Sequence, residues 1–361
     1  MVSKRIVVIL QPKNQDNMAD NKNQHFIPQF YQKYFSDDGK NISLFVVDTG
    51  KTIERASIKK QSSESYFYSE DTGIEKELGK VERLMAILLK KLSEGNYKLD
   101  DKELSVLYTF ICLQSLRTEV PAEELRNMAE QFAKEYANFI THDETFTNNL
   151  VVKIPHPPLK SLEHLDEMIQ CCLDLKWKFL IIESGEKNFI TSDNPVSYYN
   201  TFLEKKGLYK CGYGLVGTLL FLPLSPKLAV ILYDSQIYKV GSAKNGGSVV
   251  LNNSDVDNFN ELTAVNANKV IYYKRGSISD ETLKKISAII HKYEKDVCNS
   301  NSSTLQGANH YIQYFHSSFP RLKLTFSFIK QLDKARAINV GSPEIVRPHV
   351  RYIKRQRPKT Q

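Results

Sequence analysis

The sequence predicts an α+β protein, with a central helical bundle packed on a mostly antiparallel sheet that comes largely from the second half of the chain. Three observations carry this. Amphipathic helical patterns gather between about residues 75 and 175, and β-rich runs stand before and after them instead of alternating with them. Hydrophobic residues make up 41% of 361, enough apolar surface for a real core, so disorder throughout is excluded. The longest strongly apolar run, Leu215 to Leu224, falls far short of the roughly 20 residues of a membrane span and contains Pro223.

Residues 1–23 lack periodicity and read as an unstructured leader, with Met18 a candidate natural start just before the first patterned segment. From His25 the text is dense in aromatics (HFIPQFYQKYF), then turns at Ser36-Asp37-Asp38-Gly39 into a strand from Ile42 to Asp48. Asp48-Thr49-Gly50-Lys51 reads as a hairpin turn. A helix over Glu75–Leu92 places Leu78, Val81, Met85, Leu88 and Leu92 on one stripe. Asp100 or Asp101 caps a second helix, and Pro121 opens a third whose Leu125, Met128, Phe132 and Tyr136 share a face. VVKIPHPPLK, crowded with proline around His156, reads as a linker, after which Ser161 caps a helix through Leu173. The runs WKFLIIES, NFITS, GTLLFLPLS and KLAVILYD then read as strands, Ser254 with Asp257 as the cap of a further helix, and VIYYK as a returning strand. A last amphipathic helix spans Ser279 to Val297, and the polar CNSNSSTLQG marks the end of the compact part. The expected organisation is a leader over 1–23, a single α+β domain over 24–298 with its helical part at 75–175 and its sheet part at 176–274, and a basic extension over 299–361. No internal repeat is visible.

Charge is unevenly placed. Residues 274–361 carry 17 Lys+Arg against 6 Asp+Glu, a net +11, whereas the first 273 residues carry 32 against 35. The final fifteen residues from Arg347 hold six basic side chains and no acid. Such a segment suits the phosphates of nucleic acid or an anionic membrane face; a solvated tail is the other reading. Five cysteines without an even framework, and a start without a signal-peptide pattern, suit a reducing, cytoplasmic compartment. Cys171 and Cys172 are adjacent and the others scattered, which does not make the paired thiolates of a structural zinc site, and Cys112 reads as a small buried hydrophobe. Gly212-Tyr213-Gly214-Leu215-Val216-Gly217 precedes a strand rather than a helix, so no cofactor-binding motif is present.

Three places carry chemistry-bearing side chains. His25 sits among stiff aromatic neighbours and Pro28, where an imidazole serves either as a general acid or base or as a core residue bonded to a carbonyl. Gln114 and Arg117, three apart, share a helix face; Arg117 suits bidentate capture of a phosphate or carboxylate, or a buried ion pair. At Thr191-Ser192-Asp193-Asn194-Pro195 a β-run stops and presents polar side chains at the strand end, a position for a base or metal ligand and equally for an Asx turn.

In this order, His25-Phe26-Ile27-Pro28-Gln29-Phe30-Tyr31, LQSLRT from Leu113, FITSDNPV from Phe189 and FLPLSPKLAVIL from Phe221 resemble a bacterial family known as domain of unknown function 4238, over about Gln24 to Lys274. The resemblance implies that His25, Tyr31, Glu82, Gln114, Arg117, Asp193, Asn194 and Asn260 occupy positions the family pattern keeps polar. Glu119 stands where that pattern leads one to expect proline. A His, an Arg, a Glu and an Asp from separated segments are the residue types of a phosphodiester-cleaving site. The expectation is therefore a nuclease-like hydrolase of a phosphate-containing substrate. His25 is its general acid or base, Arg117 and Gln114 hold the phosphate, and Asp193 with Glu82 orients water or a divalent metal ion. Tyr31, Asn194 and Asn260 complete the substrate contacts. The alternative is a non-catalytic nucleic-acid-binding or interaction module, in which the same side chains form a structural network and the basic C-terminal segment contacts nucleic acid.

Overall fold

The computed structural model describes residues 23–70, 73–183, 185, 187–242, 247–293, 299–304, 311–316, 320–341 and 345–356, so nearly all of the expected leader lies outside the described residues. The N-terminal part runs β1 (Asn23–His25), α1 (Gln29–Gln32), β2 (Asn41–Val46), β3 (Thr52–Ser57) and β4 (Ser63–Ser65). The helical part follows with α2 (Gly73–Ser93), α3 (Asp101–Leu116), α4 (Glu119–Thr141), α5 (Glu144–Asn148), α6 (Pro157–Leu162) and α7 (Leu165–Cys172). Then come β5 (Lys176–Ile181), β6 (Thr191–Ser192), β7 (Ser197–Tyr199), α8 (Thr201–Lys205), β8 (Leu219–Ser225), β9 (Leu228–Tyr233), β10 (Tyr238–Val240) and β11 (Ser248–Val250). The chain ends with α9 (Asn253–Asn266), β12 (Val270–Tyr273), α10 (Asp280–Lys292), β13 (Asn299–Thr304), β14 (Tyr311–His316), β15 (Ile329–Gln331) and α11 (Pro348–Gln356). No described helix is long and apolar enough to cross a membrane.

The fold is α+β. A five-stranded sheet, β11-β5-β9-β8-β7, comes largely from the second half, β5 lying at the chain's midpoint, and is antiparallel except for the β11–β5 pair. Its two central strands are apolar at nearly every position because both faces are covered, and period-2 alternation divides them cleanly. Leu220, Leu222, Leu224, Val230 and Leu232 face the helical bundle, where Met85, Leu88, Phe110, Ile111 and Met168 meet them in one core. Leu219, Phe221, Ala229 and Ile231 face a second core containing Phe259 of α9 with Leu322, Leu324 and Phe326. Thus residues 320–341, read from sequence as part of a basic extension, supply one wall of a core. A four-stranded antiparallel sheet, β3-β2-β12-β6, lies beside it, its β2–β3 hairpin closed by Gly50 at φ +65°.

Local chemistry explains the element ends, including several that differ from expectation. Asp100 caps α3 with a complete capping box to Glu103. The proline-rich segment is partly helical: α6 starts at Pro157, since proline at the first helical position has no N–H to lose. Ser161 lies inside α6 and donates to Pro157 O, so it is not a cap, and α7 begins after His164. Asn252, not Ser254, caps α9 through Asp255 N. Helix α4 opens at Glu119, two residues before Pro121, and Ser279 caps α10, whose expected last turns fall on residues outside the described ones.

Candidate functional site

The HFIP segment is extended and Pro28 has no N–H, so its polar backbone has to be satisfied from elsewhere. The amides of Phe26 and Ile27 both donate to Ser62 O. Its successive carbonyls take side-chain donors: Arg117 Nη2 at 2.6 Å and Tyr68 Oη at 3.4 Å to His25 O, Gln114 Nε2 to Phe26 O at 2.9 Å, and Gln32 Nε2 to Ile27 O at 3.2 Å. Gln24 completes the frame, donating to Ser69 O at 3.0 Å and accepting from Tyr68 N at 2.7 Å.

Arg117 is the hub. At the C-terminal end of α3 it is fully buried, and its other nitrogens donate to Glu82 Oε1 at 2.7 Å and to Tyr68 Oη at 3.0 Å. Burial alone opposes its charge, but Tyr68 and Glu82 hold its pKa above the ordinary value. Burial raises the Tyr68 phenol to about 12. His25 is half-buried; burial lowers its pKa, against a backbone hydrogen bond with Lys59 and the nearby Glu82. Glu75, one face along α2 from Glu82, is pushed up by burial and by Glu82 against the pull of Arg117. Four buried atoms of the frame and hub, His25 Nε2, Glu75 Oε2, Gln32 Oε1 and Gln114 Oε1, have no hydrogen-bond partner.

Asp193, Asn194 and Asn260 form a second knot that ties the strand end to α9 and β12. Both Asp193 oxygens accept backbone amides: Asn268 N at 2.8 Å, Lys269 N at 2.7 Å and Val270 N at 3.2 Å. Asn194 accepts from Thr118 Oγ1 at 3.1 Å and donates to Asn266 O at 3.0 Å, and Asn266 donates back to Asn194 O at 2.6 Å. Asn260 accepts from Ile190 N at 3.0 Å and donates to Asn188 O at 2.8 Å. Thr118, in the capping position of α4, therefore turns its hydroxyl to Asn194 instead of capping its own helix. Tyr31 is buried apart from both knots, its hydroxyl 2.6 Å from Thr191 Oγ1 and 2.6 Å from Pro223 O.

The structure thus brings His25, Glu82, Gln114 and Arg117 together and places Asp193, Asn194 and Asn260 in a separate knot, joined to the first through the consecutive residues Arg117 and Thr118. The expected phosphate holders Arg117 and Gln114 are sealed in protein, with their donors engaged on Glu82, Tyr68 and main-chain carbonyls. Tyr68, Gln24, Gln32, Glu75 and Asn266 are not singled out by the sequence; only Gln24, next to HFIP, and Gln32, four residues after it, carry a local signal. Among the described residues no group of three or more His, Cys, Asp or Glu side chains is arranged to hold a metal ion.

Over the knots lies an open cleft of about 410 Å³, lined by Glu64, Tyr66 and Phe67, by Glu119, Ala122, Glu123 and Arg126 of α4, by His156, Pro157 and Pro158, and by Lys269. Both knots build its walls. Tyr68, next to Phe67, is held by Arg117, and Asp193 fixes the Asn268-Lys269 backbone whose side chains reach Glu119. Tyr66 and His156 have left-handed backbones, at φ +57° and +47°.

No curated protein and no solved structure matches the chain. The profile of the family described as Protein of unknown function (DUF4238) matches residues 23–277, which hold the HFIP frame, both polar knots and every residue of the cleft, and the chain belongs to that family.

Proposed function

We propose that the protein is a non-catalytic interaction module whose polar motifs hold the fold and whose basic C-terminal helix meets an anionic partner, with nucleic acid the first candidate. The single observation supporting this is Arg117: the one cation of the hub is without solvent exposure, and each of its nitrogens donates to a protein acceptor. A guanidinium in that state has no face to offer a phosphate, and Asp193, bound by three backbone amides, is likewise engaged as structure.

Helix α11 is anchored for display. Arg347, buried just ahead of it, pairs with Asp174 at 3.0 Å and donates to Tyr213 O at 2.6 Å and to Cys171 O, while Val350 is buried. Lys354, Arg355 and Tyr352, the last 63% exposed, stand outside, a combination of cations and an aromatic face that suits phosphates and stacked bases.

A second reading, hydrolysis of a phosphate-containing substrate, draws on the unpartnered His25 Nε2 and Glu75 Oε2, two titratable groups that each feel the charge of the buried Arg117. One experiment separates the two. Duplex and single-stranded nucleic acids are titrated against the full chain from low to high salt, with and without magnesium or manganese, and the products are examined for cleavage. The module reading expects intact nucleic acid and a log–log salt slope about 1–2 shallower in Lys354→Ala/Arg355→Ala. Cleavage that disappears in a folded His25→Ala variant overturns it in favour of the hydrolase.

A further inference from the structure

We propose that the cleft between Tyr66 and helices α4 and α6 is a binding site for an alkylammonium group. The proposal concerns a surface separate from α11 and stands whether or not that helix binds nucleic acid.

The cleft has the size of a small-ligand site, about 410 Å³, and carries three carboxylates against two cations. One of those cations is already engaged: Lys269 pairs with Glu119, whose carboxylate also accepts from Asn268 Nδ2 at 3.2 Å. Glu123, one turn further along α4, and Glu64, on β4, form no ion pair with any described residue. The lining charges sum to one negative, and the carboxylates act on Lys269 in the same sense. Burial works against its charge, yet Glu119, Glu123 and Asp193 hold its pKa above the ordinary value. With Lys269 held by Glu119, the remaining lining charges are Glu64 and Glu123 against Arg126, so the cleft keeps one carboxylate in excess for a cationic ligand.

The apolar walls narrow the class. Tyr66 is 40% exposed, Phe67 packs against Phe26 at 4.9 Å, and Pro157 and Pro158 stand among the lining. Aromatic faces beside carboxylates are the combination that captures organic ammonium ions, the ring taking the C–H and N–H edge of the cation while the acid takes its charge. Tyr66 has its backbone in the left-handed region at φ +57°, uncommon for an aromatic residue, and its side chain lines the cleft.

An alkylammonium reaches such a site either as a free polyamine or as a lysine side chain of a peptide, and the test separates these sources. The full chain is titrated, by calorimetry and by Tyr66-proximal NMR shifts, with spermidine, with Nα-acetyl-lysine methylamide and with the uncharged norleucine analogue. The expected result is binding of one or both amines and none of the norleucine compound, weakened at least tenfold in Glu123→Gln and in Tyr66→Asn, with melting temperatures unchanged. Asparagine tolerates the left-handed backbone and removes only the ring. Preference for spermidine assigns a free polyamine; preference for the lysine amide assigns a peptide. Absence of binding by both amines at millimolar concentration, or binding that neither substitution weakens, overturns the proposal.

Discussion

Arg117 meets His25 at the backbone: the guanidinium Nη2 donates to the His25 carbonyl oxygen across 2.6 Å, and the imidazole Nε2 is left without a partner. What the arginine recognises is a main-chain acceptor in a segment where proline has removed the regular alternatives.

Arg117→Met should therefore be among the most damaging substitutions in the chain. It strands Glu82 and removes the shorter of the two side-chain donors to His25 O, and breaking a buried charged pair in this way costs about 3–5 kcal/mol, or roughly 10 °C in Tm. His25→Ala keeps the carbonyl and should cost far less. Scanning fluorimetry on both variants checks this, and equal losses would mean that the imidazole, not the carbonyl, is what the hub holds.

Asp193→Asn replaces a carboxylate that accepts from Asn268, Lys269 and Val270 amides with a group that has one acceptor oxygen. Leaving a buried amide unpaired costs about 1–3 kcal/mol, so Tm should fall by several degrees, and hydrogen exchange at residues 268–270 should quicken. Unchanged exchange there would show that the aspartate does not hold this turn.

Glu75 predicts a pH dependence. Burial raises its pKa in the folded protein above the ordinary value, so folding favours the protonated form. That stability is present below the unfolded carboxylate range and is lost as pH rises through the folded pKa. Glu75→Gln should leave Tm unchanged near pH 4 and raise it by about a degree or two at pH 7. A variant that is less stable at pH 7 would show that the ionised carboxylate is needed beside Arg117.

Arg347→Ala should undock α11. The side chain joins Asp174 and the carbonyls of Cys171, Tyr213 and Leu215 from under the helix, and its loss should cost about 3 kcal/mol and open α11 to proteolysis. Truncation after Gly341 should cost at least as much stability, because it removes α11 together with Arg347 and Val350. If the truncated chain melts with the full one, the helix is an appendage and not part of the packed structure.

Much of the fold was legible in one dimension because its causes are local. The stripe of Leu78, Met85, Leu88 and Leu92 follows the helical period, Asp100 and Glu103 form a capping box three residues apart, and the long apolar runs of β8 and β9 announce a sheet buried on both faces. Through the family resemblance the same sequence singled out part of the polar set, but not Tyr68, Gln24, Gln32, Glu75 or Asn266. Their roles were not legible, because each is decided by what arrives from far along the chain: His25 O is met by Arg117, 92 residues away, and Asp193 by amides 75 to 77 residues away. An arginine that clamps a substrate and an arginine that clamps a carbonyl have the same local pattern. Only packing that buries the guanidinium and fills its donors separates them, and only packing sets Tyr66, Glu123 and Lys269, from three distant segments, around one cleft.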